Sequence, residues 1–413
     1  IASCLVGSEM CIRDSAKAIR IAKSGRPGPV HLSLPSDVLE GAATVPAFGP
    51  EAFAPEPRLL DPALAAELAR QLAEAERPLI LAGPSCLTRD GRALIAALEQ
   101  ATGVPVAGME SPRGIGDASL GAFAQLLARA DCVLLLGKRL DFTLKFGTAL
   151  AADAKVYQID PDADELARSR RALGERLRTE AQADAWPAMR ALTAAAAGAR
   201  DPSWLREAHA WLAYRPAAWD DARASLPQRL HPVQMLRPLQ ALLDSHPESV
   251  LVCDGGEIGQ WAMACLSAPH RVNNGVAGAI GAGLAYALGA RCAQPEAPVI
   301  AVMGDGTVGF HIAEFDTAIR HRLPFVAVVG NDARWNAEYQ IQLRDYGPER
   351  LIGCELQPTR YDAVAQAFGA HGELVTEADA LPDAARRALA SGKPACLNVM
   401  IEGLPAPQIR REA

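Results

Sequence analysis

Val299-Ile300-Ala301-Val302-Met303-Gly304-Asp305-Gly306, and then Phe325-Val326-Ala327-Val328-Val329-Gly330-Asn331-Asp332, are the two stretches on which the reading of this chain turns. Each is an apolar run of strand length that ends in glycine and a carboxylate, and the segment His311 to His321 between them has helical spacing. Continuous apolar strands separated by amphipathic helices predict a parallel sheet covered on both faces. In such a sheet the carboxyl ends of neighbouring strands open into one crevice, and the helix after Gly306 turns its free amides there. Two oxygen ligands and an anion-binding nest therefore converge. Mg2+ is usually held by one or two carboxylates completed by phosphate oxygens and water, so Asp305 and Asp332 with a diphosphate meet its demands. Glycines at 304 and 306 let phosphates approach the backbone. Taken alone, Gly304-Asp305-Gly306 is equally an ordinary strand-end turn. The spacing decides, because Asp332 follows Asp305 by 27 residues, room for one helix and one strand.

Upstream, Gly275 to Ala290 is a glycine-rich loop entering a helix of small residues, whose helical half reads as close packing. Asp254-Gly255-Gly256-Glu257 follows the apolar run Val250 to Cys253 and marks a third strand end, with a plain turn as the equal alternative. Further strands are expected at Pro29 to Pro35, Pro78 to Ala82, Pro105 to Ala107, Cys132 to Leu136, Lys155 to Ile159 and Ala395 to Met400. Helices are expected at Ala16 to Lys23, from Pro62 to Glu76, Arg89 to Thr102, Phe123 to Ala128 and Asp362 to Phe368. The fold class is α/β, with two doubly wound parallel-sheet domains. Their expected bounds are 60–181 for a middle Rossmann-like domain and 230–404 for the domain of the Asp305 and Asp332 strands. A Pro- and Ala-rich linker (42–59), a helical connector (182–229) and a tail (405–413) complete the plan.

Composition excludes several classes. A chain of 413 residues with half of them hydrophobic, few aromatics and a dispersed net charge of −7 describes a globular protein with no nucleic-acid surface. Its apolar runs are strand-sized and far short of the roughly 20 residues of a membrane helix. Nine cysteines at irregular spacings, with no Cys-x-x-Cys pair, favour reduced thiols in a cytoplasm over disulfides or a zinc site. His31, His231, His311 and His321 have no metal-binding spacing and read as surface or capping residues. No Gly-x-Gly-x-x-Gly opens a helix with an acidic residue beyond the next strand, which argues against an NAD-dependent dehydrogenase.

The Asp305 and Asp332 segments together resemble the thiamine-diphosphate signature, Gly-Asp-Gly followed after a helix and a strand by Asn-Asn. This sequence departs from it in having Asn331-Asp332, which keeps an oxygen ligand and adds a charge. The resemblance implies thiamine diphosphate and Mg2+ as cofactors. The metal ligands it implies are Asp305, Asp332 and the main-chain carbonyl of Arg334, with Asn331 a further candidate. It assigns Gly255, Gly256, Gly304, Gly306 and Thr307 to the diphosphate. The loop half of Gly275 to Ala290 resembles the family stretch whose bulky residue bends the cofactor into a V, and that residue is Ile280. The Ile280 amide and the Gly278 carbonyl would bond the aminopyrimidine. The bend brings the imino nitrogen against the thiazolium carbon whose proton it removes. Trp335, Asn336, Glu338 and Tyr339 either line the substrate pocket or cover the cofactor.

Other segments carry the same likeness. Ser24 to Leu39 resembles the end of the family's pyrimidine-binding domain, so 16–41 reads as a remnant of one. Leu136 to Phe142 and Gln158 to Asp160 are similar to the middle domain of benzaldehyde lyase and 2-hydroxyacyl-CoA lyase, Gly306 to Gly309 with Glu314 to Thr317 and Arg350 to Gly353 resemble benzaldehyde lyase, and the whole is of the acetolactate synthase kind. In these relatives the middle domain binds FAD or an ADP-like group. Met109 to Gly114 and Lys138 to Phe142 are where such a ligand would lie, with an empty nucleotide fold as the alternative. Cys4 to Ser15 resembles a translated sequencing adapter, so 1–15 is set aside and the natural chain is expected to start earlier. The family's activating glutamate comes from the amino-terminal domain across a dimer interface, and nothing before Ala16 matches it. The expected function is a lyase, carboligase or decarboxylase acting on a 2-oxo acid or 2-hydroxy carbonyl compound, inactive as this fragment and a homodimer or homotetramer when complete. The alternative is a non-catalytic regulatory subunit of the same fold.

Overall fold

Runs such as Pro78–Ala82 and Cys132–Leu136 are buried along their whole length, so each needs an apolar layer on both sides. The computed structural model, which describes residues 8–42, 46, 48–198, 200–275 and 277–412, meets that demand with two parallel sheets. Contacts divide the chain into two compact units, one of Ile1–Met109 with Arg129–Leu205, the other of Glu110–Ala128 with Arg206–Ala413.

The first unit holds β1 (Pro78–Ala82), β2 (Val106–Gly108), β3 (Cys132–Leu136), β4 (Lys155–Ile159) and β5 (Leu177–Ala181), in the order β2-β1-β3-β4-β5. Helices Pro62–Glu74, Arg89–Thr102 and Ala185–Ala195 bring Leu68, Leu72, Leu98 and Met189 against Ile80 and Leu134 in one core. Local chemistry fixes their ends. The Asp61 carboxylate accepts the amides of Ala63 and Leu64 ahead of Pro62, and Thr88 caps the next helix, which stops at left-handed Gly103. Where β1 and β3 end, a Cβ on Gly83 would collide with the Gly137 carbonyl.

One expectation fails here. Pro29 to Pro35 forms no strand; it is an extended segment with no buried residue, because no neighbouring strand offers it a ladder. The first helix runs Ser8–Lys23 and so takes in residues that the sequence reading set aside.

The second unit holds β6 (Val250–Cys253), β7 (His270–Asn273), β8 (Val299–Gly304), β9 (Val326–Asn331), β10 (His371–Val375) and β11 (Ala395–Met400), in the order β10-β11-β9-β8-β6-β7. All their pairings are parallel. Alternation serves both faces: Ile300, Val302, Val326 and Val328 enter one core, while Val299, Ala301, Met303, Ala327 and Val329 enter the other. After β6 the chain passes to β7 on one side and then to β8 on the other. That reversal opens a crevice at the carboxyl ends. Among the described residues no helix is long and apolar enough to cross a membrane.

Candidate functional site

Gly304, the last residue of β8, is the register partner of Gly330 on β9. The chain therefore carries Asp305 and Asp332 off adjacent strand tips on the same edge of the sheet, and both line one cleft of about 280 Å³. Asp305 is 1% exposed, and its Oδ2 is buried with no hydrogen-bond partner among the described residues. Burial pushes its carboxyl above the usual range, opposed by the amides of Gly306, Arg334 and Ala333. Asp332 is raised by burial and then by the charge of Asp305, against the pull of Arg334. Two carboxylates whose charges repel in a buried cleft, one with an oxygen left unbonded, form a donor set that a small divalent cation would relieve. The residues present fit Mg2+.

The turn after β9 is strained and braced. Ala333 sits at φ 59°, a conformation that a residue with a Cβ rarely adopts. Asn331 holds it there: its Oδ1 accepts the Ala333 amide at 3.2 Å, and its Nδ2 donates to the Thr359 carbonyl at 2.9 Å and to Asn398 Oδ1 at 3.1 Å. Asn331 is fully buried and does not line the cleft. The further metal candidate thus builds the turn that presents Asp332 and Arg334, because its amide is already committed.

The remaining expected residues gather in the same cleft. Gly255 and Gly256 follow β6, Gly304 ends β8 with Gly306 and Thr307 just beyond, and Gly278 and Ile280 come from the loop after β7. Several glycines here leave no space for a side chain. A Cβ on Gly255 would lie 2.9 Å from Thr307 Oγ1, and one on Gly306 would lie 2.7 Å from the Trp335 ring. Backbone is therefore bare where a phosphate would need it. Arg334 also lines the cleft, with its guanidinium 4.1 Å over the Tyr339 ring. Trp335, Asn336 and Glu338 line it too, whereas Tyr339 serves under Arg334 and does not. The helix Asn336–Tyr346, which follows Trp335 and carries the others, has no buried residue.

Pro112 and Arg113 were not foreseen in this place. They lie in the part of 109–114 that the sequence suggests for a nucleotide, but Glu110–Ala128 packs with the second unit and these two line its cleft. Arg113 is 3.6 Å from Glu257, which also accepts the Ala406 amide at 2.8 Å. The breaker cluster Ser111-Pro112-Arg113-Gly114 was the available signal that the chain leaves the first sheet there. His231 does cap a helix, accepting the Val233 amide at 3.1 Å. His311 does more than the surface reading allowed: its Nδ1 meets the Gly281 carbonyl at 2.7 Å.

Two family models match the chain: "Thiamine pyrophosphate enzyme, central domain" over residues 65–191 and "Thiamine pyrophosphate enzyme, C-terminal TPP binding domain" over residues 254–399. The chain is 30% identical to 2-hydroxyacyl-CoA lyase 2 of Danio rerio, in a match covering 93% of this chain and 69% of that protein. The chain belongs to the thiamine pyrophosphate enzyme family. Other relatives are the "Probable acetolactate synthase" of Mycobacterium bovis, 32% identical over 80% of this chain and 60% of that protein, and 2-hydroxyacyl-CoA lyase 2 of Homo sapiens, 28% identical over 94% and 70%. The match thus spans 60% of the length of the mycobacterial relative. In this thiamine pyrophosphate enzyme the C-terminal match begins at Asp254, the tip of β6, and contains Asp305 and Asp332.

Proposed function

We propose that this protein takes part in making or breaking a carbon-carbon bond next to a carbonyl, on a 2-oxo acid or 2-hydroxy carbonyl compound, with thiamine diphosphate and Mg2+. The observation that carries the reading is the Asp305 Oδ2, buried and unbonded beside Asp332 in a cleft edged by bare glycine backbone. When bound, the coenzyme supplies the carbon nucleophile, and the protein supplies position and electrostatics. Asp305, Asp332 and the Arg334 carbonyl would hold the cation, while the Gly256 amide and the Thr307 hydroxyl would serve the diphosphate and Gly255, whose own amide bonds Asp254, would leave room for it. Ile280 would bear on the bend, and the Gly278 carbonyl would take the aminopyrimidine. Trp335 lies against Gly306 and would keep water off the phosphate side of the cleft. Trp335, Asn336 and Glu338, at the cleft rim, are the groups we assign to the substrate.

The acetolactate synthase and 2-hydroxyacyl-CoA lyase names among the relatives support the reaction class, and the substrate is proposed only as far as those names agree. No residue of this chain is given the activating glutamate's part. Turnover is therefore proposed for the protein that supplies one, as a homodimer or homotetramer, and not for these 413 residues alone. Seven described cysteines are free, which favours a reducing compartment such as the cytoplasm. Calorimetry of the chain with thiamine diphosphate, with and without Mg2+, tests the reading. Binding should require the metal and vanish in Asp305→Ala; metal-independent binding, or binding that survives the substitution, would overturn it.

A further inference from the structure

The loop that carries Ile280 has little packing to hold it. Between Gly275 and Ile280 no described residue is buried, and Gly275, Gly278 and Gly281 all have positive φ, at 61°, 68° and 104°. A glycine-rich segment of this kind loses much conformational entropy when fixed in one shape, so other contacts must fix it.

Those contacts converge on Asp254 at the tip of β6. Its carboxylate is 1% exposed, and among the described residues no lysine or arginine forms an ion pair with it. It accepts backbone amides instead: Gly255 to Oδ1 at 2.7 Å, Gly281 to Oδ2 at 3.1 Å and Gly283 to Oδ2 at 2.5 Å. Burial pushes the carboxyl up and these three amides oppose the rise. The other side of Gly281 is held as well, since its carbonyl meets His311 Nδ1 at 2.7 Å, an atom that must carry the proton to donate there. Sterics sharpen the fit. A Cβ on Gly283 would stand 2.9 Å from Asp254 Oδ2, and one on Gly281 would stand 3.0 Å from Phe310. The buried Asp254 carboxylate and the exposed His311 ring thus hold the amide and the carbonyl of Gly281, directly after Ile280, and tie together the β6 tip, the Ile280 loop and the turn after β8.

We infer that Asp254 and His311 are positioning residues for Ile280, acting on the coenzyme only through the backbone of Gly281 and Gly283. The inference rests on the coenzyme reading above and adds to it the device that sets the height of the wedge. It separates two parts of binding. The diphosphate end depends on Asp305, Asp332 and the bare backbone after β6 and β8, whereas the ring end depends on the gripped loop.

Two probes distinguish these parts in the full chain: thiamine diphosphate with Mg2+, and inorganic pyrophosphate with Mg2+, which lacks the rings. Asp254→Asn keeps an oxygen for Gly255 but turns a donor toward the Gly281 and Gly283 amides. His311→Ala removes the other grip, and His311→Asn can return a donor near the place of Nδ1. We expect the first two variants to weaken thiamine diphosphate about ten-fold or more while pyrophosphate stays within about two-fold, and His311→Asn to recover most of the loss. Amide exchange at Gly281 and Gly283 should quicken in Asp254→Asn without either ligand. Equal losses for both probes, unchanged affinity for both, or no recovery in His311→Asn would overturn the inference. If Asp254→Asn does not fold, the two His311 variants decide. Failure of the unaltered chain to bind thiamine diphosphate removes the functional reading and this inference with it. Normal binding by the unaltered chain and by every variant removes the inference alone.

Discussion

Asp332 feels the charge of Asp305 across the tips of two paired strands, and both carboxyls are raised above their ordinary values by burial. A carboxyl whose folded pKa lies above its unfolded one contributes stability that is fully present below the unfolded value and lost as pH rises through the folded value. The metal-free chain should therefore lose thermal stability as pH climbs from the ordinary carboxylate range through the raised values of this pair. Mg2+ should restore more of the melting temperature at the upper end than at the lower. Scanning calorimetry over a pH series, with and without Mg2+, checks this. Asp332→Asn should flatten the metal-free profile; an equally sloped profile in that variant would speak against the pairing.

Gly306→Ala places a Cβ where the Trp335 ring lies 2.7 Å away. The ring must shift off the phosphate side of the cleft, at a cost of about 1–3 kcal/mol. Denaturant titration should register that loss. Calorimetry should show weaker thiamine diphosphate binding, and the double change Gly306→Ala with Trp335→Ala should recover stability but not affinity.

In the first unit Gly83→Ala drives a Cβ into the Gly137 carbonyl at the ends of β1 and β3. Both strands are wholly buried and the opposing atom is backbone, so neither can give way cheaply. A loss of about 3 kcal/mol or more is expected from chemical denaturation, at the upper end of what overpacking costs. An effect under about 1 kcal/mol would mean that the two strand ends are not so close.

Asn331→Ala strips three hydrogen bonds from a fully buried site and takes the Asn331 partner from Asn398 Oδ1 and the Ala333 amide, while the Thr359 carbonyl keeps the Asn398 Nδ2 donor. A stability loss of about 1–3 kcal/mol is expected. Because the same amide holds Ala333 at positive φ, Mg2+ affinity should fall as well, and Asn331→Asp should recover part of the turn through the oxygen that accepts the Ala333 amide.

The central strands were legible in the sequence because they are buried on both faces. Val299 to Met303, Phe325 to Val329 and Cys132 to Leu136 are continuous apolar runs that no other environment explains. The strands that escaped notice, β5, β7 and β10, are all sheet edges. Leu177-Arg178-Thr179-Glu180-Ala181 and His270-Arg271-Val272-Asn273 carry charged or polar side chains, as an edge can, and so resemble loop. Pro29 to Pro35 errs the other way, since strand-like alternation creates no strand without a partner. At the site, the glycines and carboxylates were legible from spacing. The part played by Asp254 was not, because three amides brought together by folding leave no mark in a sequence. The same holds for His311, whose partner is a backbone carbonyl 30 residues away.

The helix Asn336–Tyr346 runs straight from the turn that carries Asp332 and Arg334, contributes Asn336, Ala337 and Glu338 to the cleft, and buries none of its residues. Asn336 and Gln340 are committed to the Leu404 and Gly403 carbonyls and Tyr339 to Arg334, which leaves Glu338 the exposed residue of the three that line the cleft. On the function proposed above, a lineage could rewrite such a position, trading one carbonyl compound for another, while the residues proposed for metal and diphosphate stayed as they were. Chemical diversity among relatives with a common coenzyme would then accumulate first along this exposed surface, and an experimenter wishing to redirect the enzyme would begin mutagenesis there.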